Sequence, residues 1–224
     1  MPASLSRPAR SVVVDLAEDA SVAAATARVG AVDGVVFLAG VLWPTRAHDR
    51  DAAKVTAICT VTFTGCARVL GAVVPEMVAR GSGHGVIAGS LSGFRGLTGA
   101  IGYAASKAGS MAEAESMYCD LRGSGGKVQR ANPGFIRTRL TDKNDFLLPF
   151  LMEPQEAAGH MLRLMRGYAF KSSFATVFSW RFRLSQFLPD GGLLPELRAE
   201  GSGGAGLRWS CGALAAGGTS EAKG

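Results

Sequence analysis

Tyr103 and Lys107 stand four residues apart in YAASKAG (103–109), a run of small residues with high helix propensity. On a helix that spacing puts both side chains on one face, within reach of each other. A free tyrosine, with a pKa of about 10, is a poor acid or base near neutrality. An ammonium held beside it favours the phenolate and brings that pKa down. The pair can then move a proton to or from a hydroxyl or carbonyl oxygen. Such chemistry also needs a hydroxyl to hold the reacting oxygen. Ser90, thirteen residues before Tyr103, closes the apolar run GVIAGS (85–90) that reads as a strand, and open α/β sheets place their sites at strand ends. A bare Y-x-x-x-K is short enough to occur on an ordinary helix surface, with Ser90 in an ordinary turn. The strand-end serine and the α/β surroundings are what separate the two readings.

The elements that must position these groups show in the alternation of apolar runs. SVVVDL (11–16) is a β-branched run read as a buried strand. EDASVAAATARV (18–29) is an alanine-rich helix with acids at its start, as the helix dipole prefers. DGVVFLAG (33–40) is a second strand, which completes a βαβ unit and implies a parallel sheet. A long helix is predicted from about Asp49 to Arg80, interrupted near Pro75. The strand 85–90 follows, then a helix opened by Tyr103 and running to about Leu121. KVQRANPG (127–134) reads as a strand stopped by proline. EPQEAAGHMLRLMR (153–166) reads as a helix with Pro154 in its first turn, and SFATVFSW (173–180) as a final strand. This alternation predicts an α/β fold, a three-layer Rossmann-like parallel sheet with helices on both faces. The pattern fades beyond Pro189. The expected organisation is one domain over 1–190 and a poorly ordered tail over 191–224.

With 224 residues, 47% of them apolar, the chain can build one domain with a substantial core. Its net charge of +6 is local, since residues 121–183 hold eleven Lys/Arg against four Asp/Glu. Those basic residues are dispersed over apparent loops and helix ends rather than clustered on one element. That fits a solvated or anion-facing surface rather than a nucleic-acid-binding face. Cys59, Cys66, Cys119 and Cys211 form no C-x-x-C pair, and the first two read as buried thiols on one helix face. His48, His84 and His160 read as isolated loop or helix-surface residues, so no metal-ligand cluster results. Neither a signal-peptide apolar core nor an 18-residue apolar run is read in the chain. The expectation is cytoplasmic, with no membrane partner.

At IAGSLSGFRGLTGAIGYAASKAG the sequence resembles the short-chain dehydrogenases/reductases, with Ser90, Tyr103 and Lys107 at the family's spacing. NPGFIRT (132–138) looks like the family's Pro-Gly loop, VVFLAGV (35–41) like its fourth-strand segment, and VVVDLAEDASV like its third strand and following aspartate. The likeness covers about residues 11–190. It implies an oxidoreductase that uses NAD or NADP to interconvert a secondary alcohol and a ketone on a small-molecule substrate. By the resemblance Tyr103 is the acid/base, Lys107 lowers its pKa and holds the nicotinamide ribose, and Ser90 orients the substrate oxygen. Asp15 would contact the adenine, and Ala39 and Gly40 its ribose. Beyond the Pro133-Gly134 turn, Ile136 and Thr138 would meet the carboxamide and phosphate side of the nicotinamide half. The bland alternatives are a plain turn at Pro133-Gly134 and a helix-preceding cap at Asp15. The resemblance also implies a homo-oligomer face on the helices near 49–80 and 103–121.

Three departures from the family pattern stand out. The family opens with a strand and a glycine-rich turn whose N–H groups hold a pyrophosphate at a helix N-terminus. This sequence reaches the third-strand match by residue 11, so the first βαβ unit has no counterpart and dinucleotide binding is expected to be weak. GSGHG (81–85) and GSGGK (123–127) read as turns and do not substitute for it. Leu38 stands where the family has asparagine, and Thr62 in VTFTG (61–65) stands at its catalytic asparagine. The competing reading is therefore a catalytically inactive remnant, either a truncated or mis-started product or an oligomerisation partner. The gap also bears on the sheet. The expectation is that Val12–Val14 pairs in parallel directly with Val35–Phe37, which would put Asp15 beside Gly40.

Overall fold

The alternation of β-branched runs with alanine-rich ones builds a parallel sheet. A computed structural model describes residues 9–139, 141, 151–174, 180, 184 and 187. Its strands are Gly34–Phe37 (β1), Gly83–Ala88 (β2), Gly126–Asn132 (β3) and Lys171–Ser173 (β4), in spatial order β1-β2-β3-β4. All three pairings are parallel, with Val36 opposite Val86, Ile87 opposite Arg130 and Ala131 opposite Ser172. The connecting helices are Asp19–Val29 (α1), Ala52–Cys59 (α2), Gly65–Ala79 (α3), Ile101–Asp120 (α4) and Pro154–Arg166 (α5).

The period-two alternation of strand side chains divides the core between two faces. Phe37, Ile87 and Val128 turn one face toward Cys66 and Leu70 of α3 and Ala114 of α4. Ala131 turns the other toward Ala157 and Leu164 of α5, joined by Met152 and Phe174. Helices therefore cover both faces, as the sequence predicts. Ile58 and Ile87 are fully buried, and each such side chain contributes about 1.5–3 kcal/mol.

The helix predicted over 49–80 breaks elsewhere than expected. Residues Thr60–Thr64 form a π-helical segment between α2 and α3, while α3 runs through Pro75. The wider turn carries Thr62 into the interior, where it is fully buried. α4 crosses this segment at very short range. Gly102 lies against Val55 and Ile58, and Gly109 lies against the Phe63 ring, where a Cβ would come within 3.1 Å of ring carbon. Small residues on α4 are thus what allow two helix backbones to approach. The span Ala52–Ala79 is long and apolar enough to cross a membrane by length and composition, contrary to the reading that no such run exists. Its buried ridge of Ile58, Thr62, Cys66, Leu70 and Met77 faces the interior of this fold.

The expectation for residues 11–16 fails. No strand forms there, and 12–14 do not pair with 35–37, where β1 bonds to β2 alone among the described residues. Val13 is 92% exposed. The physical reason lies at the segment's far end. Leu16 packs on Gly65 of α3, where a Cβ would sit 2.9 Å from it. Arg68 Nη1 donates to Leu16 O at 3.2 Å and Arg68 also bonds Asp19. These contacts tie the entry of α1 to α3 rather than to the edge of the sheet, and placing Asp15 beside Gly40 through strand pairing loses its basis.

Two smaller differences concern single elements. β4 occupies Lys171–Ser173 and shares only Ser173 with the predicted 173–180 strand, whose residues 175–179 lie outside the described ones, as does the 191–224 tail. His84, read as a surface residue, is half-buried in β2 with Nε2 2.8 Å from Gln129 Oε1. The GSGG turn before β3 uses glycine for a steric reason. Gly125 has φ +79°, and a Cβ there would lie 1.9 Å from Gly81 O.

Candidate active site

The predicted groups converge at the carboxyl ends of β1, β2 and β3. Ala39 and Gly40 follow β1, Ser90 follows β2, and Pro133 and Gly134 follow β3. Backbone bonds fasten the last two loops together, Gly89 N to Ala131 O at 2.8 Å and Leu91 N to Pro133 O at 3.4 Å. Ser90 is extended, with φ −162° and ψ 159°, and caps a single 3₁₀ turn over Leu91–Gly93. α4 begins just behind this turn and carries Tyr103 in its first turn and Lys107 one turn later.

The hydrogen bonds around Ser90 define its role as a donor. Ser92 N and Ser92 Oγ both donate to Ser90 Oγ, at 3.2 and 2.9 Å. A hydroxyl has two lone pairs and one proton. With both lone pairs engaged, Ser90 has only its one proton left to give, and the Ser90–Tyr103 bond takes it. Ser92 was not singled out in the sequence; its only signal is the i, i+2 repeat of serine in GSLSG.

Lys107 is 4% exposed, and its Nζ donates to Ala88 O at 2.7 Å. Burial pushes its pKa down to about 8 from an ordinary 10.5, opposed in part by Cys66. The ammonium lies 5.8 Å from the Tyr103 ring centroid. It thus touches the ring face and a backbone carbonyl. For Tyr103 burial dominates and raises the phenol above its ordinary value, with the Ser90 bond pulling the other way. This reverses the sequence expectation that Lys107 brings the phenol toward neutrality.

Thr62 meets the site from beneath. Its Oγ1 accepts from Val41 N at 3.2 Å, and a Cβ on Gly40 would lie 3.5 Å from its methyl and 3.8 Å from Lys107 Nζ. The Ala39–Val41 turn therefore wraps around Thr62 and Lys107 together, at ordinary van der Waals distance from both. Ser110 Oγ reaches Thr62 O at 3.5 Å. The remaining predicted contacts are more peripheral. Asp15 caps the turn before α1, its Oδ1 accepting from Ala17 N at 2.8 Å. Ile136 bridges to Met152, and Thr138 N donates to Thr141 Oγ1 at 2.9 Å. Among the described residues no group of three or more His, Cys, Asp or Glu could hold a metal ion.

A serine at a strand end, beside a half-buried tyrosine and a buried lysine on the helix that follows, resembles the arrangement of the short-chain dehydrogenases. The chain belongs to that family: the short chain dehydrogenase profile matches residues 3–145. It is 41% identical over 165 residues to an "uncharacterized oxidoreductase" of Myxococcus xanthus, covering 73% of this chain and 65% of that one. It is 35% identical over 134 residues to human 17-beta-hydroxysteroid dehydrogenase type 1, covering 58% of this chain and 40% of that one. Among solved structures, a short chain dehydrogenase/reductase family protein superposes with TM-score 0.66 at 25% identity, covering 72% and 73% of the two chains. A putative betaketoacyl-ACP reductase superposes with TM-score 0.61 at 27% identity, covering 69% of each. The chain spans just under two thirds of the Myxococcus relative and less of the human one.

Proposed function

We propose that this chain reduces a small-molecule carbonyl to a secondary alcohol at Ser90, Tyr103 and Lys107, with the reduced form of NAD or NADP as the source of the hydride. The observation that carries this reading is the direction of the hydrogen bonds. Ser92 leaves Ser90 as a donor, and Ser90 meets Tyr103. A carbonyl oxygen entering between them takes the Ser90 proton over from Tyr103, and both hydroxyls then donate to it where negative charge develops during reduction. Burial keeps the Tyr103 phenol protonated, the state needed for a general acid. Tyr103 Oη gives its proton to that oxygen while Ser90 holds it.

The nicotinamide half of a dinucleotide is the part the chain is best equipped to hold. Its ribose would meet Tyr103 and Lys107 below the Gly40 turn, and Pro133, Gly134, Ile136 and Thr138 line the neighbouring strand end. Ala39, Gly40 and Asp15 would serve the adenosine side. Among the described residues no glycine-rich turn joins a strand to α1, so the anion site of the family's pyrophosphate lacks a counterpart there. Dinucleotide affinity is accordingly expected no better than about millimolar, roughly −4 kcal/mol.

That same observation supports a second reading, in which the chain is inactive and serves as an oligomerisation partner through 49–80 and 103–121. Val78 and Phe63, exposed on those helices, suit such a face. Calorimetric titration with NADH and NADPH, run beside a turnover assay on ketone panels, separates the two. Carbonyl reduction that disappears in Tyr103→Phe supports the first reading. Absence of both binding and turnover in a folded protein leaves the second.

A further inference from the structure

Arg130 lies in the central strand β3 and is 2% exposed, a cation where the strand pattern calls for an apolar side chain. A buried guanidinium is costly unless it is well bonded. Here Nη1 donates to Met111 O at 3.1 Å and to Glu115 Oε1 at 3.0 Å. Its guanidinium carbon sits 5.8 Å from the ring centroids of both Phe94 and Phe170, within cation–π range. Glu115 is shared with Lys171 Nζ at 3.6 Å.

Two of these partners bear on the site. Phe94 ends the 3₁₀ turn that Ser90 caps, and Met111 lies one turn beyond Lys107 on α4. At the same place the Ser90 turn touches the helix backbone. A Cβ on Gly93 would come within 3.1 Å of Ala108 N and of the Lys107 carbonyl carbon. A contact so close lasts only if something holds the two segments together from below. We propose that Arg130 is a positioning residue for the site: bonded to α4 at Met111 and stacked on Phe94, it holds the Ser90 turn closed on the helix that carries Lys107 and keeps water from the lysine. This rests on reading Ser90, Tyr103 and Lys107 as the site, but its test needs no turnover.

The test follows the Lys107 amine by its side-chain carbon resonances in the full-length, lysine-labelled protein, with the melting temperature measured alongside. Arg130→Lys and Phe94→Leu both preserve charge, so neither shifts the titration by simple electrostatics, and Phe94→Tyr restores the ring. In the unaltered protein Lys107 is expected to titrate below the ordinary 10.5, near 8. Arg130→Lys and Phe94→Leu are expected to raise that midpoint by about half a unit or more, as water reaches the lysine, and Phe94→Tyr to leave it in place. A lower melting temperature in Phe94→Leu with the midpoint unmoved reduces Arg130 to a core residue and overturns the proposal. An equal rise in Phe94→Tyr overturns it as well. Should Arg130→Lys fail to fold, Phe94→Leu decides. The expected shifts in a protein without turnover or dinucleotide binding would uphold the positioning role and remove the catalytic reading instead.

Discussion

Ser92 gives the residue scale its sharpest test. Removing its hydroxyl leaves Ser90 Oγ with one donor fewer, so Ser90 can turn its own proton away from the site. Ser92→Ala is expected to lower kcat about tenfold, the weight of roughly one hydrogen bond, while leaving stability almost unchanged. Steady-state rates beside a melting curve check this, and a rate equal to the unaltered protein's would refute it. Tyr103→Phe removes only the proton donor and should abolish turnover in a folded protein. Gly93→Ala acts through packing. Its new methyl would meet Met111 Sδ at 2.5 Å, which can swing aside, but also helix backbone at 3.1 Å, which cannot. The Ser90 turn must lift, with an expected loss of about 1–3 kcal/mol measurable by denaturant unfolding.

At the scale of elements the π-helical segment is the feature to test. Thr62 is fully buried and accepts the Val41 N–H. Thr62→Val keeps the shape and deletes the acceptor, which leaves that N–H without this bond. The expected cost is about 1–3 kcal/mol, together with faster hydrogen exchange at Val41. Exchange at Val41 unchanged in the variant would show that Thr62 does not anchor the Ala39–Val41 turn. Chain alternation made the helix, strand and turn pattern legible, and Tyr103, Lys107 and Ser90 were legible with it. The break at Thr60–Thr64 was not, because Pro75 is the stronger local signal, whereas the π-helical segment meets Gly109 of α4 through Phe63, a neighbour that no local pattern reveals.

For the whole molecule, two buried groups set the stability against pH, with opposite signs. Lys107 falls from 10.5 to about 8, so between those values the unfolded chain binds more protons and stability rises with pH. Cys66 rises from 9.0 to about 12, mainly through burial, so between those values the folded chain binds more protons and stability falls. The two windows overlap above pH 9. Stability is expected to climb from pH 8 to 9, to stay level from 9 to 10.5 where the two slopes cancel, and to decline from there toward 12. Each limb is worth on the order of 3–4 kcal/mol if taken alone. Urea unfolding at half-unit steps of pH checks the curve. Cys66→Ala should flatten the descending limb, and a descending limb that survives in this variant would assign it to other groups, Tyr103 among them.

Alone, the sequence determined the elements and the identity of the chemical groups. Period-two and period-3.6 patterns depend on neighbours a few residues away, and the Ser90, Tyr103 and Lys107 spacing is a property of the chain itself. What the tertiary structure decided is everything that depends on burial and on distant partners. Whether SVVVDL becomes a strand turned on Leu16 meeting Gly65 and Arg68 of α3, contacts between residues about fifty positions apart. The pKa directions of Tyr103 and Lys107 turned on how far water is kept from them, which no spacing reveals. Arg130 in KVQRAN reads as a flaw in a strand until Phe94, Met111 and Glu115 are brought around it. A buried charge is tolerable only through partners that folding supplies.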